Sequence, residues 1–337
     1  MINNKILVIG SNSFSGSNFI KHFLDSGFNV KGVSRSEEPN DIFLAYKNFG
    51  KNHNYQKNNF SFHKIDINKD LKKLIQIVDE FKPPYIVNLS AQGMVAESWL
   101  SPTNWYQTNL VSQVALHDEL RKRKFIKKYL HVTTPEVYGS TDSGFIEENY
   151  NFSPTTPYAV SRAGCDLHLL SFYKAYNFPV VFTRAANVYG PGQQLYRIIP
   201  RTILSARFNK KMNLHGGGIS ERSFIHIKDV AEATLNILLN AQPGTSWHIS
   251  TKESLSIRNL VQLICESCDV NFDSIVNISD ERLGKDQNYL LSSEKLRKEF
   301  NWEDTIKLSD GIKSTIEWIN QNSIYFQNIS WDYKHQL

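Results

Sequence analysis

Residues 5–16 read Lys5-Ile6-Leu7-Val8-Ile9-Gly10-Ser11-Asn12-Ser13-Phe14-Ser15-Gly16, an apolar run that breaks into a glycine- and serine-rich turn. A short aliphatic run followed by glycines and then a helical pattern reads as strand, tight turn, helix. Glycines at such a turn let the backbone approach a pyrophosphate, which rests against the N-terminus of the following helix. The spacing is that of Gly-x-x-Gly-x-x-Gly with Ser13 in the middle place, so the turn must accommodate a seryl Cβ. Gly10, Asn12, Ser13, Phe14 and Gly16 are therefore the first candidates for contacts to a dinucleotide.

The pattern continues outward from this stretch. Further strands are expected at Val30–Val33, Phe60–Ile65, Tyr85–Leu89, Tyr129–Thr133 and Val180–Thr183. Helical segments lie between them; in one, Leu71, Leu74, Ile75, Val78 and Phe81 keep a 3.6-residue period. Strands alternating with helices predict an α/β protein with a parallel sheet covered on both faces. Beyond residue 186 the pattern is less regular, with amphipathic helices expected near 228–240 and 308–320. The expected division is a dinucleotide-binding domain over 1–185, rejoined by about 227–250, and a smaller lobe interleaved over 186–337.

At the end of the second strand an NAD enzyme usually carries an acid that bonds the ribose 2′-hydroxyl. Here the residues are Ser34 and Arg35, and a guanidinium can pair with a 2′-phosphate, so NADP is expected in preference to NAD. Asp66 and Ile67 follow the third strand, where the adenine edge would lie, although a simple turn acid fits Asp66 as well. Leu89, Ala91 and Asn109 complete the expected cofactor contacts.

Composition bounds the function. The chain has 337 residues, 41% of them hydrophobic and 21% charged, which suits a large folded core. No apolar run approaches the roughly 18 residues of a membrane span, and no signal-peptide pattern opens the chain, so a soluble cytoplasmic protein is expected. A formal net charge of +5 suits an anionic small-molecule substrate. The basic run Arg121-Lys122-Arg123-Lys124 falls where a long helix should end, a place that favours cations, so nucleic acid is not the expected partner. Cys265 and Cys268 form a lone Cys-x-x-Cys on an apolar helical stripe, read as core filling with no metal.

Two stretches carry the chemistry: Thr133-Thr134-Pro135-Glu136-Val137-Tyr138-Gly139 and Pro157-Tyr158-Ala159-Val160-Ser161-Arg162-Ala163. With Asn88-Leu89-Ser90-Ala91-Gln92 and Asn187-Val188-Tyr189-Gly190-Pro191-Gly192, they resemble the extended short-chain dehydrogenase/reductases. The segment Arg222-Ser223-Phe224-Ile225-His226-Ile227-Lys228-Asp229-Val230 also fits. Within that group the chain looks most like the dTDP-glucose and GDP-mannose 4,6-dehydratases. The resemblance implies a Rossmann-type doubly wound sheet with a smaller mixed α/β lobe that binds a nucleotide-diphosphate sugar. It implies Tyr158 as the base for the sugar 4-hydroxyl, Thr134 as its hydrogen-bonding partner, and Glu136 as the base at C5. The family's motif lysine is Arg162 here, and Pro135 replaces the aspartate of dTDP-glucose dehydratases. Implied substrate contacts are Gln92, Asn187, Arg197, Arg222 and Arg282. The family also implies a homodimer built on two long helices, here about 103–123 and 157–176. A 4-epimerase, a decarboxylase, a 4-dehydrogenase or a catalytically silent binding protein on the same scaffold are the competing readings.

Overall fold

Among the described residues seven parallel strands form the main sheet, deeply buried except for the edge strand Phe60–Lys64. They are β1 (Lys5–Ile9), β2 (Asn29–Ser34), β3 (Phe60–Lys64), β4 (Tyr85–Asn88), β5 (Lys128–Val132), β6 (Val180–Ala185) and β7 (Ser246–Ile249). The computed structural model describes residues 4–47, 58–140, 144–281, 288 and 290–335. Strand order is β7-β6-β5-β4-β1-β2-β3, all pairs parallel. Ile6, Leu7 and Val8 are each 0% exposed, because helices cover both faces of β1. That is why the strand reads as a continuous apolar run and not as an alternation.

The longer helices are α1 (Phe14–Asp25), α2 (Leu71–Phe81), α3 (Ser112–Leu120), α4 (Pro157–Tyr176), α5 (Ile198–Phe208), α6 (Ile227–Asn240), α7 (Ile257–Ser267) and α8 (Leu308–Gln321). On one face of the sheet Phe19 and Phe23 of α1 meet Ile237 and Leu238 of α6. On the other, Leu74 of α2, Leu116 and Leu120 of α3 and Leu169 of α4 share a second core. The 3.6-residue stripe of residues 71–81 is this buried face, with Leu74, Ile75, Val78 and Phe81 inward. A separate cluster holds α5, α7 and α8 together through Ile199, Ile203, Leu260, Ile264, Ile312 and Trp318. Small strand pairs join this region, including Asn187–Tyr189 parallel to Phe224–His226. Residues 227–249 return to the main sheet, α6 lying against α1 and β7 extending the sheet beside β6.

Local signals fix the helix that matters most for the site. Thr156 caps α4, its hydroxyl accepting from the Ala159 N–H at 3.2 Å, and Pro157 occupies the first turn. Asn177 ends the helix in the left-handed region at φ 54°. The helix expected over 103–123 is helical from Pro102 to Leu120, interrupted by a π turn at Gln107–Val111. The basic run beyond it is paired locally, Arg121 with Asp118 at 2.7 Å and Arg123 with Asp79 at 2.9 Å. Cys265 is buried and Cys268 half-buried, and both pack against apolar clusters.

Beside the sheet, buried Lys128 at the start of β5 donates through Nζ to the carbonyls of Leu239 and Ala241, at the C-terminal end of α6. A cation there satisfies carbonyls that the helix leaves open and complements its dipole. Lys128→Met is expected to lower the unfolding free energy by about 1–3 kcal/mol. Urea denaturation checks this, and an unchanged midpoint would show that the carbonyls find other donors.

Candidate active site

Strand order reverses between β1 and β4, and the crevice opens at their C-terminal ends. Gly10 sits there at φ 94°, and a Cβ on it would lie 3.0 Å from the Leu89 carbonyl carbon and the Ser90 nitrogen. Gly16 is tighter still, since a Cβ would meet the Gly10 oxygen at 2.3 Å. Ser13 does not obstruct the turn. It caps α1, its hydroxyl donating to the Gly10 oxygen at 2.7 Å and accepting from the Gly16 N–H at 3.0 Å. Asn12 holds the neighbouring loop, Nδ2 donating to the carbonyls of Ser36 and Glu37 at 3.0 Å each. The Phe14 ring lies in the core behind α1, so only its backbone faces the turn.

The groove beside this turn is lined by Gly10, Ser13, Ser34, Arg35, Asp66, Ile67, Leu89, Ala91 and Gln92. Ser90, Asn68 and Thr108 also line it and were not singled out by sequence. Ser90 lies between two residues that were, but nothing in its spacing marks it; Asn68 and Thr108 meet only in the fold, at 3.0 Å. The Asp66 carboxylate accepts from the Asn68 N–H at 2.9 Å and so shapes the turn. Asn109 lies in the π turn, fully buried, and does not reach the groove with its side chain. It clamps Gln92, accepting from its N–H at 2.8 Å and donating to its carbonyl at 3.0 Å, and donates to Ser161 at 3.0 Å.

The catalytic candidates converge where β5 ends against α4. Thr134 caps the short 3₁₀ turn Pro135–Tyr138, accepting from the Glu136 N–H at 3.3 Å. Pro135 is buried at the first position of that turn, where its missing N–H does no harm. Thr134 bonds the Tyr158 phenol. Burial pushes that phenol above its ordinary value, and the charge of Glu136 pushes it further. The charge of Arg162, the Thr134 hydrogen bond and the charge of Arg197 pull the other way. Thr134, Glu136, Tyr158, Arg162 and Arg197 therefore form one electrostatic unit.

The remaining substrate candidates come from the second lobe. Arg197 precedes α5 and its guanidinium lies over the Tyr196 ring at 5.4 Å. Arg222 is buried, donating to the Glu221 carbonyl at 2.7 Å. Asn187 opens the strand paired with Phe224–His226, its N–H bonded to the Ser223 carbonyl at 3.1 Å. Arg282 lies outside the described residues. Beneath the site, His117, His131 and Cys165 bring donor atoms within 4.8 Å of one another. The guanidinium of Arg162 contacts His131 at 3.3 Å, and a second cation there would be repelled, so the cluster is read as a buried polar network.

The model of the family described as GDP-mannose 4,6 dehydratase matches residues 7–315. The chain belongs to this family. It is 30% identical over 331 residues to a trifunctional UDP-glucose 4,6-dehydratase/UDP-4-keto-6-deoxy-D-glucose 3,5-epimerase/UDP-4-keto-L-rhamnose-reductase of Arabidopsis thaliana, covering 96% of this chain and 48% of that enzyme. The chain thus spans under half the length of the plant relatives it matches. A dTDP-glucose 4,6-dehydratase of Streptomyces venezuelae, solved with NAD bound, superposes with a TM-score of 0.85 at 25% identity, covering 95% of this chain and 98% of that one. A dTDP-glucose 4,6-dehydratase of Bacillus anthracis in complex with NAD does so with 0.84 at 27% identity, over 95% and 98%.

Both solved family members hold NAD, which overturns the expectation of NADP from Ser34 and Arg35. Loss of an acid removes repulsion of a 2′-phosphate without building a site for one. A guanidinium beside the groove can equally lie against an adenine ring.

The electrostatic unit predicts opposite effects on Tyr158. Glu136→Gln removes a negative charge and should lower the phenol's pKa, whereas Thr134→Val removes a hydrogen-bond donor and should raise it. Ultraviolet titration of phenolate, taken as the difference from a Tyr158→Phe counterpart, measures both. Shifts of the same sign would break the unit.

Proposed function

We propose that the protein is an NAD-dependent nucleotide-sugar 4,6-dehydratase. The observation that carries this reading is the meeting of Thr134, Glu136 and Tyr158 at the open end of β5, in a chain of the GDP-mannose 4,6-dehydratase family. Gly10, Ser13 and Gly16 fit a pyrophosphate, since Cβ atoms at the two glycines would crowd the backbone that forms the cradle. Ser34, Arg35, Asp66, Ile67, Leu89 and Ala91 would hold the adenosine and nicotinamide halves. NAD, when bound, supplies the hydride acceptor for C4 and the hydride that later reaches C6.

The chain's own residues manage the protons. Tyr158 takes the proton of the sugar 4-hydroxyl, which Thr134 orients. A ketone at C4 acidifies the C5 proton, and Glu136 removes it. The same carboxyl can then deliver that proton to the departing 6-hydroxyl, which leaves as water, so one acid serves both steps and Pro135 needs no carboxylate; when hydride reaches C6, a proton from solvent completes C5. Arg197, Arg222 and Arg282 suit the substrate's diphosphate, with Asn187 and Gln92 placing the sugar.

We extend the proposal to a homodimer acting in the cytoplasm, with the chain divided near residue 186. Leu100, Val111, Val160 and Leu167 are 82%, 53%, 40% and 51% exposed along the helical stretch 95–120 and α4, an apolar stripe suited to a second copy. Three cysteines without a disulfide among them suit a reducing compartment.

Incubation with a panel of nucleotide sugars in deuterated solvent tests the activity. Loss of one water from one of them, with deuterium entering at C5, is the expected result. Glu136→Gln should abolish both while single-turnover formation of reduced cofactor persists; undiminished exchange at C5 would remove Glu136 from its role. Sedimentation at micromolar concentration should give a dimer, and Leu167→Glu should yield monomer.

A further inference from the structure

Arg162 stands one helical turn after Tyr158, on the same face of α4, yet its guanidinium points into the protein. It is 2% exposed. Nη2 donates to the Val132 carbonyl and to Nε2 of His131, the latter at 3.3 Å. Nε and Nη1 are buried without a hydrogen-bond partner. We propose that His131 is a positioning residue, which together with the Val132 carbonyl holds Arg162 as a fixed cation that acts on the Tyr158 phenol from inside the core. The inference rests on Tyr158 being the base of the reaction proposed above.

The chemistry of the two side chains suits this arrangement. A guanidinium is long, planar and always charged, so one nitrogen can be tied to two acceptors while the charge still acts on the phenol. A lysine ammonium on a shorter stem would not reach both. The imidazole must be neutral to accept. Burial holds His131 well below its ordinary value, and the charge of Arg162 adds to this, followed by His117, Arg184 and His168. With Nε2 accepting, the proton sits on Nδ1.

Other groups face the imidazole without replacing its role. Tyr129 stacks along β5 at 6.3 Å, and His117 of α3 meets it edge-on at 6.1 Å. From α4, Cys165 contributes a neutral thiol pushed up to about 12, and Asp166 lies 3.6 Å from Nε2. Arg184 of β6 at 2.6 Å and Thr133 at 2.9 Å both hold Oδ2 of Asp166, and the atom facing the imidazole is Oδ1, beyond hydrogen-bond length. Facing Tyr158 are Glu136, Arg162, Thr134 and Arg197.

A double-mutant cycle on the full chain tests the coupling. The readout is the midpoint of Tyr158 phenolate formation in the NAD complex, by ultraviolet difference against Tyr158→Phe counterparts and with no nucleotide sugar present. It therefore does not depend on whether the catalysed reaction is dehydration. His131→Leu should raise the midpoint by about one pH unit. His131→Gln, which keeps an acceptor near the place of Nε2, should stay close to the wild type. In an Arg162→Lys background His131→Leu should change nothing further. An equal shift in both backgrounds, no shift with Arg162 present, or a glutamine variant as impaired as the leucine one would overturn the proposal.

Discussion

Asp166, fully buried on α4, accepts from Arg184 of β6 at 2.6 Å and from the Thr133 hydroxyl at 2.9 Å. Arg184 in turn reaches Ser246 at the start of β7. One carboxylate thereby ties α4 to the ends of three neighbouring elements of the sheet. Removing either partner of such a buried pair leaves an uncompensated charge, so its geometry is held stiffly. Thr134 follows Thr133, and Tyr158 lies two turns before Asp166 on the same helix. The hydroxyl and the phenol thus sit on the two elements that this anchor joins, and so does the proposed catalytic unit.

The anchor has an electrostatic side as well. Burial raises the Asp166 carboxyl, and the charges of Arg184 and Arg162 oppose that rise. The same Arg162 opposes the rise of Tyr158. A single layer of buried cations thus stabilises the anion that fixes the fold and the anion that the proposed chemistry needs. Glu136 works against the phenolate and in the proposed mechanism is needed as a base at the next carbon, so the two basic groups oppose each other electrostatically. The cofactor groove is controlled differently, by backbone: glycines where a Cβ would strike Leu89, Ser90 or Gly10, and Ser13 bonded across the turn.

Much of this was readable in the chain. The apolar runs gave the parallel sheet because strands covered on both faces cannot alternate, and the helix that the family resemblance implied over 157–176 is present, opened by the Thr156 cap and Pro157. The Gly10–Gly16 turn and the Thr134, Glu136 and Tyr158 positions followed from spacing and from the family resemblance. Other features were hidden. Asn109 was expected at the cofactor, but a π turn rotates it onto Gln92 and Ser161. Nothing in the local composition of Gln107–Val111 marks that turn. Cofactor choice was misread from Ser34 and Arg35, because an absent acid and a present guanidinium leave open what the guanidinium touches.

Sequence by itself determined six of the seven strands of the main sheet and the glycine turn after the first, which are encoded within a few residues of one another, and it named the candidate reacting groups. Tertiary structure alone decided where Arg162 points, which carboxylate anchors the sheet, and that His131, Asp166 and Arg184 stand together. Those residues come from β5, α4 and β6 and are separated by up to 53 positions. Their contacts arise from packing in a desolvated layer, where hydrogen bonding and charge are set by neighbours that no local pattern records.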